Sequence, residues 1–342
     1  MKLSDFDYEL PKNLIAQVPV EPRDASRMMV LHRDSQSVEH RHFYDLPDLL
    51  DPSDVLVFNQ SKVIPARILF SVGEKECEVF FVREVTEMVW EVMVRPGRLF
   101  RKGDSVSMSD DVRFEVLEVL PDTEHGHRIV RVHDTKMRDR FTLLQEFGSI
   151  PLPPYIESRE GVSKYQNVYA VEPGSVAAPT AGFHFTQELL ETLRAKGVQI
   201  EFLTLHVGPG TFLPVSADVI EDHVMHEEFF VLDHDVAARL NSAKQSGRRI
   251  ISVGTTTTRV LESCTGDDGI VVARAGSTKI FIYPGYRWRY IDGLVTNFHL
   301  PKSTLLMLVS SFAGQEFVAK AYADAVREQY RFFSFGDGML IL

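Results

Sequence analysis

The chain has 342 residues, 44% of them hydrophobic, which is enough for one large domain or two unequal ones. Its formal charge of -11 excludes a general polyanion binder, though not a nucleic-acid substrate gripped by a local basic patch. No apolar leader follows Met1, the longest apolar run near 305–309 is too short to span a bilayer, and Cys77 and Cys264 stand alone without a CxxC partner. These features predict a reduced, cytoplasmic protein with no membrane association, no disulfide and no zinc–thiolate site.

The N-terminal segment from Asp7 to Leu31 predicts a short helix and then a strand over 28–31. A second apolar strand over 54–59 is closed by the polar turn Asn59-Gln60-Ser61-Lys62. Lys62 and Arg67 then bring two cations to a joint in the chain, and Arg67 is a candidate contact to substrate phosphate. From about Ile68 to about Val132 short alternating apolar runs are separated by turn signals such as Arg95-Pro96-Gly97 and Lys102-Gly103-Asp104. That texture predicts a small antiparallel β-barrel inserted at 68–132 into an α/β domain made of 1–67 plus 133–342. After Pro151 the pattern alternates: helices over 187–196, about 235–246 and roughly 316–330, strands over 198–207 and 250–253. Alternation of this kind predicts a layered α/β fold with a mostly parallel sheet.

Four loops share one design: apolar residues, then glycine, proline or threonine beside polar side chains, then often a helix. They hold Thr180, Gly182 and His184; His206, Gly208, Gly210 and Thr211; Thr255 and Arg259; and Asn297, His299, Lys302 and Ser303. Ligands of open α/β sheets sit outside the strand carboxyl ends, so these loops predict one pocket whose helix N-termini favour a carboxylate. His184, His206 and His299 recur in matching contexts, and imidazole is the first choice for proton transfer near neutral pH. The spacing of His223 and His226 matches no zinc motif, so no metal is expected.

These residues give the chain its likeness to a known family. It resembles the S-adenosylmethionine:tRNA ribosyltransferase-isomerases of queuosine biosynthesis over nearly its whole length. The likeness runs from Asp7-Tyr8-Glu9-Leu10-Pro11 through Val63-Ile64-Pro65-Ala66-Arg67, Pro151 to Ile156, Gly174 to Thr186 and Leu205 to Phe212. It continues through Met225-His226 with Glu228, Gly254 to Arg259, Asn297 to Thr304 and the ending Tyr330 to Asp337. The chain departs from the family pattern at Leu213, before Pro214, where arginine is common.

The resemblance implies an α/β domain with a β-barrel insert. It also implies transfer of the ribosyl part of S-adenosylmethionine to 7-aminomethyl-7-deazaguanine at the tRNA wobble position. Adenine and methionine leave, and epoxyqueuosine remains in the tRNA. S-adenosylmethionine is then a co-substrate, no cofactor is permanently bound, tRNA is the partner, and no obligate protein partner is evident. The chemistry needs a base for the 5′ C–H acidified by the sulfonium and an acid for adenine, roles open to His184, His206, His299 and Glu228.

Two rivals predict different features. An S-adenosylmethionine-dependent tRNA methyltransferase calls for a glycine-rich loop after its first strand, but the 28–31 strand runs into His32-Arg33-Asp34. A non-catalytic tRNA-binding protein calls for surface aromatics among cations, and only Arg287-Trp288-Arg289-Tyr290 offers them.

Overall fold

The computed structural model describes residues 1–120, 126–158, 162, 164–212, 215 and 217–342, without the side chains of Thr211 and Phe212. The chain divides into two compact units. The first comprises Met1–Lys62, Pro154–Glu172 and Ala178–Leu342; the second comprises Val63–Pro153 and Pro173–Ala177.

A nine-stranded sheet organises the first unit. In chain order its strands are β1 (Arg27–His32), β2 (Ser37–His42), β3 (Val55–Asn59), β4 (Gln199–Leu205) and β5 (Glu228–Leu232). They continue with β6 (Ile250–Val253), β7 (Arg274–Thr278), β8 (Gly293–Asn297) and β9 (Gly338–Ile341). The spatial order is β7-β5-β4-β3-β6-β8-β9-β1-β2. The central strands β4, β3, β6 and β8 run parallel, as do β9 and β1. The remaining neighbours, β7 with β5, β5 with β4, β8 with β9 and β1 with β2, are antiparallel.

The sheet is therefore mixed rather than mostly parallel. The expectation failed at the flanks, where long-range pairings such as β8 with β9 leave no local pattern in the sequence. In the centre, β3, β6 and β8 are buried at every residue; β3 and β6 read as short apolar strands, whereas β8, which ends in Thr296 and Asn297, did not.

Helices cover both faces. Helix α1 (Gln187–Lys196) buries Leu189, Leu190 and Leu193 against Leu56, Phe58, Ile251, Val253 and Val295. Thr186 caps its start by accepting from Leu189 N–H at 3.1 Å, and Gly197 ends it at φ 106°. On β4, Ile200 and Phe202 lie against that cluster, whereas Glu201 between them bonds Arg239 of α2 (His234–Gln245) at 2.7 Å. Since alternate strand residues face opposite ways, α2 covers the other face.

Three further helices are α3 (Thr255–Cys264), α4 (Thr304–Ala313) and α5 (Gln315–Arg327). The short helix expected before β1 is absent. Only single 3-10 turns form at Lys12–Leu14 and Arg23–Ala25, in a segment punctuated by Pro11, Pro19 and Pro22. No helix among the described residues is long and apolar enough to cross a membrane.

The second unit holds a seven-stranded sheet whose neighbours are all antiparallel. Its order is Gly148–Ser149, Arg67–Val72, Lys75–Thr86, Val89–Arg95, His127–Asp134, Val112–Val119 and Ser105–Ser107. Alternating residues fill its core, among them Val79, Phe81, Trp90, Val92, Phe114, Val116 and Val130. Among the described residues the end strands do not pair with each other, so the sheet is an open half-barrel rather than a complete small barrel. Register shifts within the longest strand, near Phe81 and Glu84, give it the local bends that curl such sheets. Leu143 and Leu144 of the helix Arg140–Phe147 join the same core.

Candidate active site

The carboxyl ends of β4, β3, β6 and β8 share one edge of the first unit's sheet because these strands run parallel. Asn59, the last residue of β3, ties that edge together. Its amide nitrogen donates to the Leu205 carbonyl at 2.9 Å and lies 3.3 Å from Thr256 Oγ1. Its Oδ1 accepts from Leu205 N–H at 3.0 Å and Ser61 N–H at 3.1 Å. Gly254, at φ 92°, turns β6 into α3, and a Cβ there would touch Ala181 at 3.5 Å. The loops after three central strands and the turn Thr180–His184 therefore meet at one edge. Asn59 was not among the residues expected at this edge, although a polar residue closing an apolar run was the available signal.

His184 is buried and stacks on Phe43 with ring centroids 3.9 Å apart. Its Nε2 lies 3.0 Å from Asn297 Nδ2, which also donates to the Phe333 carbonyl at 3.2 Å. A carbonyl can only accept, so the amide nitrogen faces the ring and Nε2 is the acceptor. The proton thus sits on Nδ1, which donates to Ser26 Oγ at 2.6 Å, while Ser26 donates to the Arg23 carbonyl at 2.8 Å. Burial, reinforced by the positive charges of Arg23 and Arg331, pushes the imidazole down to about 3. It is neutral at pH 7 and bonded to Asn297, whose Oδ1 accepts from Thr180 Oγ1 at 3.0 Å. Phe333 holds a left-handed φ of 73° beside this network, a conformation bulky side chains rarely adopt. Gly182 is required by packing, since a Cβ there would overlap Tyr169 Oη and Asn167 Oδ1.

Glu228 and Arg259 form a buried ion pair, a partnership 31 residues apart in sequence. Gly208 N–H donates to the other carboxylate oxygen at 3.3 Å, bringing the 206–210 loop to the pair. Arg259 Nε reaches the Ile280 carbonyl at 3.3 Å, but buried Nη2 has no hydrogen-bond partner among the described residues. His206 bonds through its backbone N–H to the Phe229 carbonyl and lies near-parallel to the Phe229 ring. It shares that residue's face of the sheet, so it stands opposite in sense to Glu228, the neighbour of Phe229 on β5. His206 is half-buried and Phe229 is exposed.

His226 packs against Gly210, where a Cβ would lie 2.3 Å from its ring, and His223 meets Phe281 edge-on at 5.6 Å. Among the described residues no group of three or more His, Cys, Asp or Glu could hold a metal ion. Thr211 falls in the turn Pro209–Phe212, and its side chain, like Leu213 and Pro214, lies outside the described residues. Thr255 opens α3 and is buried.

The 296–304 loop is occupied with its own structure. His299 is buried, bonded through Nε2 to Thr296 Oγ1 at 2.8 Å, and pushed down to about 3 by burial. Its backbone N–H donates to Tyr322 Oη at 3.0 Å, and its carbonyl accepts from Tyr8 Oη. Lys302 pairs with Asp7 at 2.9 Å. Ser303 caps α4, accepting from Leu306 N–H at 3.2 Å. Ser303→Ala should therefore cost about 1 kcal/mol in unfolding free energy, the usual price of a lost cap. A denaturant titration giving no loss would assign Ser303 elsewhere.

Arg67 lies in the second unit and pairs with Glu78 at 2.8 Å. The Arg287–Tyr290 cluster is a pinned corner: buried Glu262 accepts from Tyr286 Oη and from the backbone N–H groups of Arg289, Tyr290 and Ile291. Trp288 Nε1 donates to the Ser311 carbonyl at 3.1 Å, so the indole is held rather than offered for stacking.

The family profile described as "Queuosine biosynthesis protein" matches residues 3–341. The S-adenosylmethionine:tRNA ribosyltransferase-isomerase of Symbiobacterium thermophilum is 51% identical, with all of both chains covered. That of Desulfitobacterium hafniense is 50% identical, again over the whole of both. A crystal structure of S-adenosylmethionine tRNA ribosyltransferase from Thermotoga maritima matches with a TM-score of 0.57 at 40% identity, covering 99% of this chain and 100% of that one. With every loop of the strand edge inside a full-length match, the chain belongs to the queuosine biosynthesis protein family.

Proposed function

We propose that the chain is an S-adenosylmethionine:tRNA ribosyltransferase-isomerase, acting on 7-aminomethyl-7-deazaguanine at the tRNA wobble position. The observation that carries this reading is the 50–51% identity, over full length, with relatives of that name. The geometry supports it with a polar edge built at the carboxyl ends of parallel strands, where α/β enzymes bind ligands.

The reaction moves the ribosyl part of S-adenosylmethionine to the substrate amine and expels adenine and neutral methionine as the epoxide closes. Proton transfer falls to Glu228, which Gly208 N–H ties to the 206–210 loop, since His206 lies on the opposite face of the sheet. His184 and His299, buried and already hydrogen-bonded, act by positioning Asn297 and Thr296. The free Nη2 of Arg259 offers a donor to a substrate oxygen, with the Thr255 end of α3 and Gly208 beside it. Lys302 and Ser303 hold the loop that carries Asn297.

The test is to supply S-adenosylmethionine with tRNA carrying the aminomethyl-deazaguanine and to follow products by chromatography. Adenine and methionine should appear in equal amounts. S-adenosylhomocysteine as the main product would establish methyl transfer instead.

A further inference from the structure

The second unit carries a basic turn that the chemistry above does not use. Arg95, Arg98, Arg101 and Lys102 fall within eight residues and are all exposed. Among the described residues none of them pairs with a carboxylate, whereas exposed arginines elsewhere in the chain, such as Arg41, Arg83, Arg140 and Arg239, do. Between Arg95 and Asp104 four cations face one carboxylate, a local charge of +3 in a chain whose formal charge is -11.

The turn is built, not loose. Phe100 is fully buried beneath it in the second unit's core, and Gly97–Leu99 form a 3-10 turn closed by Phe100 N–H to the Gly97 carbonyl at 3.1 Å. Asp104 spends its carboxylate on Arg101 N–H at 2.8 Å, and Gly103 takes φ 88° to complete the bend. Arg128 braces the turn from the next strand, donating from Nε to the Phe100 carbonyl at 2.9 Å, and adds a fifth cation.

We propose that this turn is a docking surface for the phosphate backbone of RNA, with Arg98, Arg101 and Lys102 as its contacts. Charge complementarity favours a polyanion, since a chain repelled overall by RNA needs one strongly positive surface on which to hold it. The turn presents no exposed apolar side chain, since Leu99 is half-buried and Phe100 is core, so it lacks what a membrane surface would require. Phosphate contacts position a nucleic acid without reading its bases, which suits a surface of simple cations. The partner rests on the tRNA reading above.

The experiment compares the parent with the triple variant Arg98→Gln, Arg101→Gln, Lys102→Gln on full-length unmodified tRNA, without S-adenosylmethionine. Fluorescence anisotropy is read at several salt concentrations. Each phosphate contact contributes about 0.7 to 0.9 to the slope of log affinity against log salt, so the variant's slope should shrink by about two to three. Its affinity at low salt should fall by about tenfold or more. In a separate assay with S-adenosylmethionine and saturating tRNA carrying the aminomethyl-deazaguanine, adenine release should proceed at the parent rate. If the triple variant fails to fold by thermal unfolding, Arg98→Gln and Lys102→Gln alone should each reduce the slope by about one.

An unchanged slope and affinity would overturn the surface, as would a variant that binds tRNA normally but turns over slowly when saturated. Parent protein that binds anionic vesicles but shows no salt-dependent tRNA binding would also overturn it. Failure of the ribosyl-transfer reading shows itself separately, as parent protein that binds tRNA and releases no adenine.

Discussion

Replacing Arg259 with methionine should lower the unfolding free energy by about 3–5 kcal/mol, the usual result of leaving a buried charge uncompensated. Glu228 and Arg259 are only 6% and 7% exposed, so the carboxylate stranded by the change cannot recover its hydration. Gly208 N–H would be its one remaining partner among the described residues. The double variant Glu228→Gln, Arg259→Met removes both charges and should regain a large part of that loss, because the neutral pair has little to desolvate. Denaturant unfolding of the parent, both single variants and the double variant gives the coupling directly. A single variant within about 1 kcal/mol of the parent, well below the range for a broken buried pair, would mean that water reaches the site and the pair is effectively a surface one. The same proteins test the chemistry. If Glu228 moves a proton, Glu228→Gln should slow single-turnover product formation by about 100- to 10,000-fold beyond any fraction unfolded.

What could be read in the chain and what could not divide along sequence distance. Helix α1 was legible because Leu189, Leu190 and Leu193 make a stripe between a capping threonine and a stop glycine, all within a dozen residues. The strands of the second unit were legible because alternation survives in runs such as Val89–Arg95. The sheet's mixed direction was not. It depends on β9 arriving between β8 and β1 from the far end of the chain, and no local period records a partner.

The histidines show the same divide. His184 looked like a loop imidazole free to titrate, but Ser26 and Phe43, more than a hundred residues away, enclose it. Neighbours so remote leave no mark on the Thr180–His184 segment. Glu228 drew attention only through family likeness, and its partner became visible only when β5 and α3 were brought together.

The burial of His184 and His299 makes stability depend on pH in a definite direction. In the unfolded chain each ring titrates near 6.5, whereas in the fold both are held down to about 3. Below pH 6.5 the unfolded state therefore takes up protons that the folded state refuses, and stability falls with pH through the window from about 6.5 to about 3. The contribution is complete above that window. At pH 5 each histidine should already cost about 2 kcal/mol, or about 4 kcal/mol together, a large share of a typical domain's stability. His223 is lowered in the same direction by its partial burial and adds to the slope, so variants are needed to isolate the two.

Carboxylates held low in the fold, such as Asp134 beside Arg138, release stability only at more acidic pH, while Asp337, raised by burial, acts in the sense opposite to the imidazoles and is common to parent and variant. The measurement is urea unfolding at pH 7 and pH 5 for the parent and for His184→Gln with His299→Gln. The double variant should be less stable at pH 7, since it breaks the bonds to Ser26, Asn297 and Thr296, yet it should lose about 4 kcal/mol less than the parent on acidification. A variant with the parent's pH dependence would show that these rings accept protons inside the folded protein. His184 and His299 would then return as candidates for the acid that releases adenine.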